Sequence, residues 1–140
     1  MREDFEGCRL RERDFIMKKI RDFRELRIWE RSMELAEKIY EVTKRFPKSE
    51  IYGLTSQLRR AVVSISSNIA EGCGRRTSKD FVGFLYNAMG SVREVESQLI
   101  LSGRVGYLEE DEVKNLVGDF EELIRMLARF IEFVLSESVE

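Results

Sequence analysis

The chain has 140 residues, 43% of them hydrophobic and 36% charged, with one proline, Pro47, which fits one helix-rich globular domain with a single core and excludes a second domain. Its formal net charge of −2 gives no bulk attraction to nucleic acid, and it contains no histidine. That absence removes the usual general base, the commonest metal ligand and the usual pH switch, and with them Ser-His catalysis and the Glu-x-x-His di-iron pattern of helical bundles.

Residues 1–22 carry the run Arg9, Arg11, Glu12, Arg13, Asp14 and no sustained apolar face, so they read as a flexible charged arm ahead of a bundle domain over residues 23–140. Met17 followed by Lys18 and Lys19 reads as a second translation start, which would make the first sixteen residues an extension outside the fold. The chain opens with charged residues instead of an apolar signal segment, and no run approaches the ~18 apolar residues of a membrane span. A cytoplasmic protein with no membrane partner is expected. Cys8 and Cys73 make neither a disulfide framework nor a zinc spacing, and Cys73, between two glycines, reads as a turn residue more than a reactive thiol.

From Leu26 the apolar residues recur at helical spacing, with Leu26, Trp29, Met33, Ala36 and Tyr40 as a stripe that Ile28, Leu35, Ile39, Val42 and Phe46 widen; this first helix stops at Pro47. The second helix runs from about Leu54 to Glu71, with Ser49 or Thr55 as its cap, an apolar face of Leu54, Leu58, Ala61, Val62, Ile65 and Ile69, and Gly72 and Gly74 ending it. Thr77 followed by Asp80 resembles a capping box, and it opens a third helix carrying Phe81, Phe84, Leu85, Ala88, Val92, Val95 and Leu99 as far as Gly103 and Gly106. The fourth helix keeps its apolar period from Val113 through Phe120 and Leu127 to Val134. Matched helices of about twenty to thirty residues joined by short connections predict an all-α, antiparallel up-down-up-down four-helix bundle.

The second helix also carries a polar stripe. Gln57, Ser64 and Glu71 are spaced by seven, with Arg60 and Asn68 beside them. Solvated faces of this chain are dense in Lys and Glu, as in Glu30, Arg31, Glu34, Glu37 and Lys38, whereas this stripe uses small uncharged polar groups with a single acid, Glu71, and a single base, Arg60. Such groups suit a half-buried seam in which each polar atom finds a partner. Two uses fit: a subunit or ligand contact, or hydrogen bonding inside one bundle. On the third helix Gly90 and Ser91 would let another backbone approach, and Glu94 is placed to pair with Arg59 or Arg60, fixing register more than adding stability.

Basic residues cluster as Lys44, Arg45 and Lys48, then Arg59 and Arg60, then Arg75, Arg76 and Lys79. They are candidate phosphate contacts as well as ordinary solubilising residues. From residue 109 to the end, Lys114, Arg125 and Arg129 stand against ten acidic residues, so an anionic partner would meet the first two helices. No cofactor or metal is expected. An alternative reading is a cofactor-free all-α enzyme of the chorismate mutase type, working by arginine and carboxylate electrostatics, with Gln57, Arg59, Arg60, Glu71 and Glu94 converging on a pocket.

Trp29, Phe46-Pro47, Tyr52-Gly53-Leu54, Gln57-Leu58-Arg59-Arg60-Ala61, Ser64-Ile65, Asn68-Ile69-Ala70-Glu71-Gly72 and Gly90-Ser91 resemble the bacterial four helix bundle protein family, also called 23S rRNA intervening-sequence proteins. The resemblance runs from about Met17 to Glu137. It implies a left-handed bundle that assembles as a homopentamer, without enzymatic activity, and a link to RNA or an RNA-handling protein. Its motif positions are Gln57, Arg60, Ser64, Asn68, Glu71 and Ser91. The first reading is therefore a non-enzymatic oligomeric scaffold using the second and third helices for self-association.

Overall fold

A computed structural model describes residues 22–138 of the chain, so the arm expected over residues 1–22 lies outside the described residues except for Asp22. The Asp22 carboxylate accepts the Arg24 backbone N–H at 3.0 Å and so caps a 3-10 turn, Phe23–Glu25. Four helices follow: α1 (Arg27–Thr43), α2 (Leu54–Cys73), α3 (Ser78–Arg104) and α4 (Glu110–Ser138), with a second 3-10 turn, Lys48–Glu50, between α1 and α2. No strand occurs among the described residues.

The helix ends follow local chemistry. Thr77 caps α3 as expected, its hydroxyl accepting the Asp80 N–H at 3.1 Å. Neither Ser49 nor Thr55 caps α2. Glu50 does so from the preceding turn, one carboxylate oxygen accepting the Leu54 N–H at 2.9 Å while the other accepts the Tyr107 hydroxyl at 2.8 Å. The Leu54 bond, then the Tyr107 bond, hold the Glu50 carboxyl below its usual range, and the same carboxylate pushes the Tyr107 hydroxyl up. One side chain thus ties the α1–α2 connection to the α3–α4 connection. Gly106, with φ of +90°, makes the left-handed turn that closes α3.

Gly72 does not end α2, which continues to Cys73. It is buried against α3, where a Cβ would fall 2.6 Å from the Phe84 Cβ and 3.0 Å from the Phe81 ring. The absent side chain lets the two helices touch at that end.

The core is apolar and continuous: Leu35, Ile39, Leu58, Ile65, Ile69, Phe81, Leu85, Leu99, Phe120, Leu123 and Leu127 are fully buried. Each such side chain stabilises the fold by roughly 1.5–3 kcal/mol relative to exposure. Cross-helix pairs run in opposite senses along neighbours. Ser64 meets Ser91 and Gln57 meets Gln98 between α2 and α3; Phe81 meets Phe130 and Arg93 meets Glu121 between α3 and α4. α4 returns to α1, with Arg31 at 3.5 Å from both Asp119 and Glu122, Lys38 at 2.9 Å from Asp119, and Arg45 paired with Glu112. The α2–α3 seam is the most extensively packed of the four, and the α1–α4 seam is the least packed and the most ionic.

Candidate interaction surfaces of the second helix

The polar stripe of α2 faces α3. The Ser64 and Ser91 hydroxyls bond to each other, and the Asn68 amide donates to the Ser64 carbonyl at 2.8 Å. The Gln98 amide donates to Gln57 Oε1 and to Glu94 Oε2, both at 3.4 Å. Ser64, Asn68, Ser91 and Gln98 are half-buried, while Gln57 and Glu94 are exposed at the edge of the seam. Gln98 is a member that the sequence pattern of α2 alone does not point to. Its signal is its place seven residues after Ser91, the spacing that relates Gln57, Ser64 and Glu71 on the facing helix.

The other expected members of the stripe stand outside this network. Arg60 reaches no farther than Ser56, at 3.5 Å, and Glu71 lies 3.9 Å from Arg75, so both belong to the solvated surface. Gly90 is exposed, and a Cβ there would meet nothing within 4 Å, so no backbone among the described residues uses it for close approach. Glu94 pairs with neither Arg59 nor Arg60. Arg59 turns instead to α1, donating to the Thr43 hydroxyl at 2.9 Å and to the Tyr40 carbonyl at 3.4 Å, with its guanidinium 4.6 Å from the Tyr40 ring centre. There it satisfies the carbonyl end of α1, where a cation is favoured.

The proposed catalytic set therefore does not converge. A cavity of about 550 Å³ opens between α1 and α2, and none of Gln57, Arg59, Arg60, Glu71 or Glu94 lines it. Its walls are Phe23, Trp29, Met33, Ala36 and Tyr40 on one side and Val63, Ser66 and Ala70 on the other, with Glu37 and Ser67 as the other polar members. Phe23 and Trp29 meet edge to face, 5.2 Å between ring centres, at the mouth nearest the start of the described chain. Tyr40 and Val63 remain 39% and 41% exposed, so this is an open apolar groove instead of a closed ligand pocket. Several of these side chains were expected in the α1 core stripe; the bundle buries Ile28, Leu35, Ala36 and Ile39 and leaves Trp29 and Met33 half-covered.

Cys73 is buried, and burial pushes its thiol up to about 11, away from the range of a reactive thiolate. Among the described residues no group of three or more His, Cys, Asp and Glu side chains could hold a metal ion. No helix among them is long and apolar enough to cross a membrane.

The basic residues separate into two groups. Lys44, Arg45, Lys48 and Arg59 lie where α2 begins, while Arg75, Arg76 and Lys79 lie past its end; its 20 residues place the groups roughly 30 Å apart. Most are engaged already: Arg45 with Glu112, Lys44 with Glu41 at 3.4 Å, Arg59 with Thr43 and Tyr40 of α1, and Arg75 with Glu71 and the Phe84 ring. Lys48, Arg76 and Lys79 are exposed, with no acidic partner among the described residues.

An all-α four-helix bundle whose second helix carries a Gln-x-x-Arg-Ala segment and an Asn-Ile-Ala-Glu-Gly segment defines a narrow class. Residues 24–129 match the family described as 23S rRNA-intervening sequence protein, and the chain belongs to that family. It shares its fold with a solved structure from Bacteroides thetaiotaomicron VPI-5482, described as a protein with unknown function from the S23 ribosomal protein family. The likeness has a TM-score of 0.66 and 24% identity, over 74% of this chain and 97% of that one. No curated protein matches the chain.

Proposed function

We propose that the protein is a non-enzymatic cytoplasmic scaffold that assembles into a homo-oligomer, a homopentamer by analogy with its family, and docks on RNA or on an RNA-handling protein. The observation that carries this reading is the open apolar groove between α1 and α2. A groove walled by Trp29, Met33, Tyr40 and Val63 costs free energy when left in water, and covering it with a protein surface removes that cost. The α2–α3 stripe, by contrast, spends its Ser64, Ser91 and Asn68 side chains and the Gln98 amide N–H on bonds within one bundle, so the contact surface moves from the second and third helices to the first and second. A ring needs a head-to-tail interface, in which the groove of one copy receives a different surface of the next.

Light scattering at micromolar concentration tests the assembly. The expected result is a mass of several chains for the natural sequence and of one chain for Val63→Glu, with helical circular dichroism unchanged. A natural chain that stays monomeric across that range would overturn the scaffold. The RNA component rests on Lys48, Arg76 and Lys79, which offer charge at both ends of α2. It fails if structured RNA does not bind at low salt, where phosphate contacts are strongest.

A further inference from the structure

Glu96, on α3, is a carboxylic acid only 7% exposed, between the fully buried positions Val95 and Leu99. Its Oε1 accepts from Arg93 Nη1 at 2.9 Å, and that same nitrogen donates to Glu121 Oε2 on α4 at 2.6 Å. Its Oε2 is buried and receives no N–H or O–H. An ionised carboxylate oxygen held out of water without a donor is strongly disfavoured, and a second carboxylate sharing the same guanidinium adds like-charge repulsion.

We infer that folded Glu96 is a neutral acid whose Oε2 hydroxyl donates to the Glu121 carboxylate, with Arg93 clamping both, so that the α3–α4 seam is a proton-dependent latch. The orphaned oxygen then becomes a donor, and the close carboxyl pair becomes a hydrogen bond instead of a repulsion. The charged groups around the pair are Arg93 on α3 and Glu121 and Arg125 on α4. Burial is the main force raising the Glu96 carboxyl, opposed by the Arg93 bond and reinforced by Glu121. The bond to Glu96, then the Arg93 bond, hold Glu121 low.

Proton linkage gives the direction of the effect. In the unfolded chain both carboxyls titrate near about pH 4.3. Below that value the unfolded chain holds more protons, because folded Glu121 stays ionised, so stability rises with pH. Above it the folded protein keeps the Glu96 proton that the unfolded chain has lost, so stability falls as pH rises until Glu96 ionises. The latch is tightest in mild acid and loosens above it. This inference is independent of the assembly and of RNA.

Urea unfolding of the full chain between about pH 4 and 8 tests it, with infrared detection of protonated carboxyl groups. Glu96→Gln supplies an N–H to Glu121 without needing a proton. The natural chain is expected to show a protonated carboxyl band above pH 4.3 that Glu96→Gln lacks. Its unfolding constant should rise with pH relative to the variant, by up to about tenfold per unit. Loss of stability by the same factor at every pH, with the band unchanged, would make Glu96 an ordinary ion-pair partner and overturn the latch. If Glu96→Gln does not fold, Glu121→Gln decides. It removes the acceptor charge, and an infrared titration midpoint of the protonated band identical to that of the natural chain would also overturn it.

Discussion

Toward α3, α2 presents Ser64 and Gln57, bonded across to Ser91 and Gln98, with Asn68 bonded back to the Ser64 carbonyl and the two helices drawn close by Gly72. Toward α1 it presents Val63 and Ala70, apolar groups facing Trp29, Met33 and Tyr40 across a space that no side chain among the described residues fills. The polar side is the sealed one and the apolar side is the open one. Polarity alone would assign the two roles the other way round; closure depends on whether the groups opposite reach, which small hydrogen-bonding side chains at a close crossing do and splayed large ones do not.

The contrast breaks hardest at Gly72. Gly72→Val forces branched carbon into the Phe84 and Phe81 side chains, and a loss of about 3 kcal/mol is expected in urea denaturation despite the better helix propensity of valine. Within the seam the effect is smaller. Ser64→Ala leaves the Ser91 hydroxyl half-buried without its partner and should lower stability by about 1 kcal/mol, while adding Ser91→Ala should cost less than a second such increment, which a double-mutant cycle reads directly. On the open side the effect on a single chain should nearly vanish. Val63→Glu, measured at concentrations where the chain is monomeric, should shift stability by no more than about 0.5 kcal/mol while abolishing assembly. A large loss for the isolated variant would mean that the groove belongs to the core after all.

The helices were legible because the apolar period is sustained over many turns, and the α3 cap because Thr77 and Asp80 stand at a spacing with a mechanism. The α2 cap was not legible. Glu50 acts from inside a 3-10 turn and reaches forward four residues, so it matches no cap spacing read from sequence, whereas Ser49 and Thr55 are cap-type residues that the backbone does not use. The polar network is legible in residue type but not in extent. Ser64 and Ser91 are bonded, yet the close approach expected at Gly90 occurs at Gly72, and Glu94 meets Gln98 instead of Arg59 or Arg60, because one helix cannot say at which height its neighbour crosses. The groove was hidden inside a correct observation. The α1 stripe of Trp29, Met33 and Tyr40 beside Ile28, Leu35 and Ile39 is wider than one core face needs, and that excess width was the signal of a second face.

The ionic closure between α1 and α4 has a consequence for how the chain reaches this state. Lys38 and Asp119 are 81 residues apart, and contacts across this seam close longer loops than those between helices adjacent in sequence, at a greater cost in chain entropy. The forces that reward the meeting, Arg31, Lys38 and Arg45 against Asp119, Glu122 and Glu112, are partly solvated and weakened by salt. The helical layers that are neighbours in sequence are therefore expected to form first and the circle of four to close last, which low phi-values at Lys38 and Asp119 would check. The α1–α4 seam is also the one along which the circle parts with least resistance, while α4 stays held to α3 by the Phe81–Phe130 and Arg93–Glu121 contacts.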